Sequence, residues 1–286
     1  MNHPAELAVH QYLEDAKGKG TNMSEDTIDK VCKDIGAALR RQFGSDSKRG
    51  AFKPRMSNVG RPTCQLWYDK NKPDTALPRS TTFVMNMMIG DIVEAVFKGL
   101  LTESGVKYEE NEKTTVEFDN DVTVSGTADI SINGAVDDIK SASAWSYKNK
   151  FESYDKLSQM DDFGYVAQLA GYAKGLRKKA GGWWVINKAT GDFKYVPATG
   201  LDIEEECGKI NSSLKTLENN VFERCFEAET EFFRSKPTGN KVLCKTCSFC
   251  DYRKDCWPSL QQKPMLKSQA INPKMVDYVY IEKGSS

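Results

Sequence analysis

Apolar residues recur every three or four positions in several stretches of the chain, and they alternate with polar residues in others. The first spacing predicts helices and the second predicts strands. The helical stretches are two helices within the first fifty residues, joined by a hinge at Gly18 to Asn22, and residues 81–101, 161–176 and 201–235. The strand-like stretches are Thr114 to Phe118, Val122 to Ile132, Ala135 to Ser141, Trp183 to Asn187 and Phe193 to Val196. This succession of helices and strands predicts an α/β fold.

The helical spacing also predicts the surroundings of three cysteines. In the second helix, Cys32 falls at a position expected to face the core. Cys207 and Cys225 fall on the apolar stripe of the long helix expected at 201–235, so both are expected to be buried. The tail after Pro258 has weak periodicity, and no element is predicted there.

Composition sets the size of the core that the chain can bury. The sequence has 286 residues, of which 39% are apolar and 28% are charged, which suits one large domain or two small ones. No stretch approaches 18 uninterrupted apolar residues, and the first twenty residues lack the apolar segment of a secretory signal. We therefore expect neither a membrane span nor a signal peptide.

The charges balance over the whole chain but not locally. Forty basic and forty acidic residues give a net charge of zero, so nucleic-acid binding would need a local patch. The segment from Arg40 to Lys72 has nine Lys or Arg and only two acidic residues, Asp46 and Asp69. This positive segment suits contact with a phosphate backbone, and it equally suits a solvated charged surface.

Histidine is almost absent from the chain. The two histidines, His3 and His10, both lie within the first ten residues. A histidine-dependent catalytic triad or a histidine-rich zinc site elsewhere in the chain is therefore excluded.

The most informative stretch is the predicted hairpin from Val124 to Ser143, with Asn133-Gly134 as its tight turn. Side chains two apart on a strand share a face, so Asp138 and Lys140 project together, and the preceding strand brings Asp129 close to them. Two converging carboxylates repel each other unless a cation lies between them, and such oxygen ligands suit Mg²⁺ or Mn²⁺. A neighbouring ammonium can then orient a water or stabilise charge on a phosphate oxygen.

Asp-x-Lys alone is common and is typical of a solvated strand edge, but here other polar residues accompany it in a fixed order. In chain order they are Glu94 on an apolar helix, Gly126-Thr127-Ala128-Asp129, Asp138, Lys140, and Gln168 and Tyr172 on the following helix. This ordered set resembles the PD-(D/E)xK nuclease superfamily, and within it the RecB-like exonucleases. The resemblance covers about two thirds of the chain, roughly from Arg61 to Trp257.

The resemblance implies a restriction-endonuclease-like core, in which helices flank a central mixed β-sheet. The catalytic and metal-binding residues would be Asp129, Asp138, Lys140 and Glu94, with the backbone carbonyl of Ile139 as a further metal ligand. Many RecB-like members present a histidine where this chain has Glu94, and this departure leaves the number of catalytic metal ions open. Asp137 is a weaker candidate than Asp138 for the metal-binding acid, because strand alternation places Asp137 on the opposite face from Lys140.

The same resemblance implies contacts with a DNA strand from the helix that follows the hairpin. The segment between them alternates aromatic and basic residues, which are Trp145, Tyr147, Lys148, Lys150, Tyr154 and Lys156. Such a mixture suits a single-stranded DNA channel, where rings stack on bases and ammoniums neutralise phosphates, although a loop with a few core aromatics has a similar composition. The expected DNA-binding residues are Gln168, Tyr172, Tyr165, Lys148 and Lys150.

Four cysteines lie within thirteen residues in a C-x2-C-x2-C-x5-C run, which consists of Cys244, Cys247, Cys250 and Cys256. This density predicts a metal or cluster site. The four thiols would suffice for a tetrahedral zinc ion, but two-residue steps between three successive ligands are more usual around an iron–sulfur cube.

Iron–sulfur ligation is also what the resemblance implies. RecB-like nucleases of the AddB type, and those associated with CRISPR adaptation, hold a 4Fe–4S cluster with one upstream cysteine and three downstream cysteines. The matching ligands here would be Cys64, Cys247, Cys250 and Cys256, with Cys244 as the alternative. Such a cluster would act as a clasp that joins the two ends of the nuclease domain.

The expected function is a Mg²⁺- or Mn²⁺-dependent DNA exonuclease that acts on single-stranded or end-bearing DNA and leaves a 5′-phosphate and a 3′-hydroxyl. The expected domains are a helical extension over 1–55, the nuclease domain with its cluster over 56–258 and a tail over 259–286. Two alternatives stay open: an inactive DNA-binding or assembly subunit with a nuclease fold, and a zinc-ribbon binding protein. We expect a cytoplasmic protein of a bacterial, archaeal or phage-infected cell, without a membrane partner.

Overall fold

The computed structural model describes residues 3–19, 23–43 and 52–282. Its helices are α1 (Pro4–Lys19), α2 (Glu25–Phe43), α3 (Thr63–Asn71), α4 (Thr81–Glu103), α5 (Tyr154–Gln159), α6 (Tyr165–Leu176), α7 (Ile203–Glu218), α8 (Lys245–Ser248) and α9 (Arg253–Cys256). Its strands are β1 (Glu109–Glu117), β2 (Thr123–Ile132), β3 (Ala135–Ala142), β4 (Lys179–Asn187), β5 (Phe193–Pro197), β6 (Glu229–Phe233), β7 (Lys236–Val242), β8 (Gln261–Pro264) and β9 (Met275–Tyr280). No described helix combines the length and the apolar character needed to cross a bilayer.

The chain divides into two units, and each is built from two separate segments. Unit 1 consists of Met1–Gly60 and Ser80–Lys215, and unit 2 consists of Arg61–Arg79 and Thr216–Ser286. This division does not coincide with the bounds expected at residues 55 and 258. The reason is that residues 61–79 pair with the C-terminal segment: the Lys70 ammonium donates to the carbonyl of Leu217 at 2.8 Å, and the Leu77 amide donates to that of Asp251 at 2.8 Å.

Unit 1 contains a five-stranded mixed sheet in the order β1-β2-β3-β4-β5. All neighbouring strands are antiparallel except β3 and β4, which are parallel and are connected through α5 and α6. The predicted hairpin turn joins β2 to β3, and Asn133 and Gly134 both have positive φ, 51° and 76°, as a two-residue turn of this kind requires. The expected α/β core with a mixed sheet flanked by helices is confirmed.

The two central strands of this sheet are buried on both faces. Trp183, Trp184 and Val185 of β4 have no exposed surface, and β3 is buried from Val136 to Ile139. Burial on both faces is the usual state of parallel strands that helices cover. One core cluster joins α1, α4 and the strands through Ala5, Val9, Phe97, Leu101, Ile130, Ile132, Ile139, Trp184 and Phe193.

Helix α2 packs against α4 through a different face from the one that the sequence predicts. A side-chain carbon added to Gly99 of α4 would lie 2.8 Å from Val31 and 3.3 Å from Thr27, so these residues form the contact of α2. Cys32 is exposed, and the expectation that it is a core thiol is wrong. One step along a helix turns a side chain by about 100°, which moves Cys32 away from the contact that Val31 makes.

The long helix predicted over 201–235 ends at Glu218. Asn220 has a left-handed conformation with a φ of 57°, which interrupts the helix, and residues 229–233 form strand β6 instead. Cys207 is buried as predicted, whereas Cys225 lies on the connecting loop and is exposed. The expected burial of Cys225 on a helical stripe is therefore wrong.

Unit 2 contains an antiparallel sheet in the order β6-β7-β9-β8. Strands β8 and β9 form in the tail, where the sequence predicts no element. The short helix α3 lies against the cysteine-rich segment, because the ring of Tyr68 stacks on that of Tyr252 at 5.0 Å and the Tyr252 hydroxyl donates to Asp69 at 2.5 Å. These contacts bring the segment that contains Cys64 to the C-terminal cysteines.

Candidate functional site

The hairpin of β2 and β3 brings the predicted acids of unit 1 together. Its register pairs Ile130 with Asp137, which sets Asp129 beside Asp138 on the adjoining strand. The backbone amide of Ile139 donates to Asp129 Oδ2 at 2.9 Å and fixes that carboxylate. The two carboxylates therefore share one face of the sheet, as the strand spacing predicts.

Asp138 is the least satisfied carboxylate of this group. It is 1% exposed, and its Oδ2 lies 2.5 Å from the ammonium of Lys140. Among the described residues, no donor with hydrogen-bond geometry reaches either of its oxygens. A buried carboxylate with one ion pair retains unused acceptor capacity, which favours the approach of a cation.

Lys140 is held as a cation inside this pocket, with its side chain 18% exposed. Burial by itself would lower the pKa of Lys140, but the charges of Asp138 and Asp129 outweigh that effect and raise the pKa above its ordinary value. The ammonium also lies 5.0 Å from the ring centre of Tyr165, which adds a cation–π contact. Lys140 therefore stays protonated at neutral pH.

Burial, and after it neighbouring negative charge, makes the other two acids weaker than usual. Burial, and then the charge of Asp138, raise the pKa of Asp129 to about 6. Burial, and then the charge of Asp129, raise the pKa of Glu94, while Lys98 lowers it. Glu94 is therefore within electrostatic reach of Asp129 although it lies on a helix, and the three acids form one charged group.

The structure adds Lys98 to this group, a residue that sequence reasoning missed. Its ammonium lies 2.6 Å from Glu94 Oε1 and 3.3 Å from Asn111 Oδ1, and its side chain is 4% exposed. The available signal was the spacing, because a lysine four residues after a glutamate on a helix lies on the same face. Because the Lys98 side chain is buried, its ion pair with Glu94 is held in place within the site.

Gln168 and Tyr172 lie on α6 close to the acids. Gln168 Nε2 donates to the Tyr172 hydroxyl at 3.1 Å. Burial, together with the charges of Asp138 and Asp129 and against the opposing effect of Gln168, raises the pKa of Tyr172 to about 12. Gly126 of β2 leaves space for this ring, because a side-chain carbon there would lie 2.6 Å from Tyr172 Cε1.

The basic residues after the hairpin have two different environments. Lys148 is exposed, as a DNA contact requires. Lys150 is 6% exposed, lies 3.8 Å from Asp161 Oδ1, and packs against the rings of Phe163 at 5.2 Å and Tyr165 at 4.6 Å. The Lys150 ammonium is therefore engaged inside the protein, where it lies against Tyr165, and its role as a DNA contact stays a prediction.

Asp137 lies on the opposite face of β3 from Lys140. It accepts hydrogen bonds from the Tyr195 hydroxyl at 2.8 Å and from Trp184 Nε1 at 3.3 Å. Burial raises the pKa of Asp137 to about 7, and these two donors lower it only in part. Asp137 thus belongs to the core behind the strand and not to the acidic pocket.

A metal ion fits the acidic pocket by its chemistry, although its ligands are not arranged as a finished coordination shell. Among the residues that the structure describes, no three His, Cys, Asp or Glu side chains are positioned to hold a metal ion. In the pocket, Lys98 engages Glu94 and Lys140 engages Asp138. The buried oxygens of Asp138, which lack hydrogen-bond donors, are the feature that suits a divalent cation.

The predicted cluster cysteines all lie in unit 2 and influence one another. Burial, and then Cys244 followed by Cys250 and Cys256, raise the pKa of Cys247. Burial raises the pKa of Cys250 to about 11, and Cys256 contributes to this shift. Cys64, 161 positions before Cys225 in the chain, is also within electrostatic reach of Cys250. Each of these thiols is thus within electrostatic reach of another, although among the described residues no three cysteines are arranged to hold a metal ion.

Cys225 is a further thiol in this neighbourhood that sequence reasoning placed elsewhere. The backbone amide of Cys64 donates to Cys225 Sγ at 3.0 Å. Hydrogen bonding from the Cys64 thiol lowers the pKa of Cys225 to about 7, against the effect of burial. Arg224 beside it donates to the carbonyl of Cys256 at 2.9 Å and covers the ring of Trp257 at 4.0 Å.

No protein-family model and no curated protein matches the chain. A solved structure, the crystal structure of SSO0001, is similar with a TM-score of 0.44 and 13% identity, over 81% of this chain and 96% of that chain.

Proposed function

We propose that this chain is a metal-dependent DNA nuclease of the PD-(D/E)xK type, with a RecB-like core, that cleaves single-stranded or end-bearing DNA. The observation that carries the proposal is the common pocket of Asp129, Asp138 and Lys140 on two adjoining strands, with Glu94 within electrostatic reach. Metal-assisted hydrolysis of phosphodiesters needs this combination of oxygen ligands and a fixed cation.

The charge of the pocket supports binding of a divalent cation. Three carboxylates, Glu94, Asp129 and Asp138, face two ammoniums, Lys98 and Lys140, which leaves one net negative charge. The three carboxylates and the backbone carbonyl of Ile139 would hold Mg²⁺ or Mn²⁺. When bound, such an ion makes water a stronger nucleophile at neutral pH and neutralises charge on the phosphate.

The remaining residues have roles that follow from their positions. Lys140, permanently charged and fixed by Asp138, would donate to a phosphate oxygen or orient the attacking water. Gln168 and Tyr172 would hold the DNA strand, and the exposed Lys148 would neutralise a phosphate. Tyr165 would keep the Lys140 ammonium in place through its ring.

We also propose a 4Fe–4S cluster in unit 2, held by Cys64, Cys247, Cys250 and Cys256. Cys244 is the alternative ligand, and Zn²⁺ is the alternative metal. The mutual influence of these thiols supports a shared group, and Arg224 supplies a positive charge next to Cys256 that suits an anionic cluster. Iron and sulfide analysis together with the visible absorption of anaerobically purified protein distinguishes the cluster from zinc.

Digestion of end-labelled single- and double-stranded oligonucleotides with Mg²⁺, Mn²⁺ or EDTA tests the nuclease proposal. We expect cleavage that depends on the divalent ion and that Lys140→Ala lowers by about 100-fold or more, because the fixed cation at the phosphate is lost. Lys113→Ala, which changes an exposed lysine of β1 in the same unit, is the matched control and should cleave normally.

Lys140→Gln serves as a second variant, since alanine leaves Asp138 without its partner. Both variants should melt near the wild-type temperature in Mn²⁺ and should still bind the oligonucleotide. Cleavage by both at the wild-type rate would contradict the assigned role of Lys140. Binding without any cleavage by the wild-type protein in either metal would instead indicate a non-catalytic DNA-binding subunit.

A further inference from the structure

Cys64 and Cys225 lie in distant parts of the chain and are brought into direct contact by the fold. The backbone amide of Cys64 donates to Cys225 Sγ at 3.0 Å. Cys64 lies in the first turn of helix α3, and Cys225 lies on the loop between α7 and β6. The Cys225 side chain therefore contacts the backbone of Cys64 directly, although 161 positions separate the two residues in the sequence.

The surroundings of the pair allow access from solvent. A cavity of about 210 Å³ is lined by both cysteines together with Thr63, Trp67, Leu217 and Arg224. Cys225 is exposed and Cys64 is half-buried, so a small oxidant reaches Cys225 first. Arg224 lies beside the pair and favours the approach of an anionic reagent.

We propose that Cys64 and Cys225 are a redox pair that closes to a disulfide when no cluster is bound. Formation of the disulfide needs only the two thiols. Its consequence rests on the proposed cluster: because Cys64 is one of the expected iron ligands, the disulfide removes a ligand and prevents the cluster from being rebuilt. Cys64 would therefore alternate between two partners, the cluster and Cys225.

A low-molecular-weight disulfide such as oxidised glutathione would be the oxidant. The Cys225 thiolate attacks one glutathione sulfur, which breaks the glutathione disulfide bond and releases one glutathione that takes up a proton. The Cys64 thiolate then attacks the Cys225 sulfur of the mixed disulfide, and the second glutathione leaves and is protonated. Two cysteine thiols are oxidised, one glutathione disulfide is reduced to two thiols, and the atoms and electrons balance.

The experiment uses the full-length chain freed of iron under reducing conditions and then treated with oxidised glutathione. Free thiols are alkylated, and the protein is digested without reductant and mapped by mass spectrometry. We expect a crosslinked pair of peptides that contain Cys64 and Cys225, and loss of iron and sulfide uptake by the oxidised protein until a thiol reductant is added. In Cys225→Ser, uptake should be insensitive to prior oxidation, whereas Cys32→Ser, at an exposed cysteine of unit 1, should behave as wild type.

Two outcomes would overturn the inference. One is separate alkylation or glutathionylation of Cys64 and Cys225 after oxidation. The other is loss of iron from Cys225→Ser as purified, which would make Cys225 a cluster ligand. The mapping does not depend on DNA cleavage, so a protein without nuclease activity would contradict the proposed function and leave this result intact.

Discussion

At the scale of single residues, the acidic pocket is defined by how its charges are satisfied. Asp138 is buried and paired only with Lys140 within the described residues, and Glu94 is paired with Lys98. Paired carboxylates in such a pocket must give up part of their ammonium contacts to receive a metal ion. The two lysines therefore set how strongly the pocket attracts a divalent cation.

Lys98 offers a direct test of this competition. In Lys98→Met, the metal-free protein should lose about 1 to 3 kcal/mol of unfolding free energy, because Glu94 keeps its charge without its partner. Mn²⁺ should restore more stability to this variant than it adds to the wild type, since the ion replaces the missing positive charge. Chemical denaturation with and without Mn²⁺ measures both effects. Equal stabilisation of the two proteins by Mn²⁺ would show that Lys98 does not compete with the metal.

Asp129 should make the stability of the metal-free protein depend on pH. Its pKa is raised to about 6 in the folded state, so the folded protein binds this proton more tightly than the unfolded chain does. Its contribution is therefore lost as pH rises from its ordinary range through about 6. In EDTA, Asp129→Asn should gain stability relative to wild type as pH rises from about 4 to about 6. Denaturation curves across this range, with Glu117→Gln at an exposed position of β1 as the control, measure the difference. A difference that is constant with pH would contradict the raised pKa.

At the scale of elements, the sequence specifies the hairpin and leaves several helix limits undetermined. The Asn133-Gly134 turn and the alternation on both sides of it place β2 and β3 correctly, because both signals are local. The predicted C-terminal limit of the helix at 201–235 is wrong. The helical spacing of apolar residues continues past Glu218, where the helix ends, and past Asn220, which has a left-handed conformation. Residues 229–233 are strand because they pair with β7, which periodicity along one segment does not reveal.

The contact between α6 and β2 depends on Gly126. In Gly126→Ala, the added carbon would lie 2.6 Å from Tyr172 and 2.8 Å from Met56, and the helix must shift to accommodate it. We expect a loss of about 1 to 3 kcal/mol of stability and weaker oligonucleotide binding, because Gln168 and Tyr172 lie on this helix.

The comparison variant is Gly208→Ala in α7. Its added carbon meets no atom within 4 Å, and it should stabilise the protein by roughly 0.5 to 1 kcal/mol. Thermal melts and binding isotherms of both variants provide the comparison, and unchanged binding by Gly126→Ala would separate α6 from DNA recognition.

At the scale of the whole molecule, the two proposed sites belong to different units. The acidic pocket lies in unit 1, and all the candidate cluster ligands lie in unit 2. Unit 2 has short helices, α8 and α9 with four residues each, and isolated helices of this length are not stable. A cluster bound there would supply much of its folding free energy.

Removal of iron should therefore loosen unit 2 selectively. After chelation under reducing conditions, we expect faster amide hydrogen exchange in α3 and β6 to β9, with little change in β1 to β5. Hydrogen exchange followed by mass spectrometry resolves the two sets of strands, and EDTA treatment that leaves iron in place is the control. Equal acceleration in both units would mean that iron does not act as a local support of unit 2.

The sequence by itself determined the features that covalent geometry and local spacing fix. These are the α/β class, the β2–β3 hairpin, and the shared face of Asp138 and Lys140, since residues two apart on a strand must point the same way. Only the tertiary structure decided the burial of Lys98 and Lys150, the exposure of Cys32, and the pairing of Cys225 with Cys64. These depend on which surfaces meet when distant segments pack, and no local pattern encodes that choice.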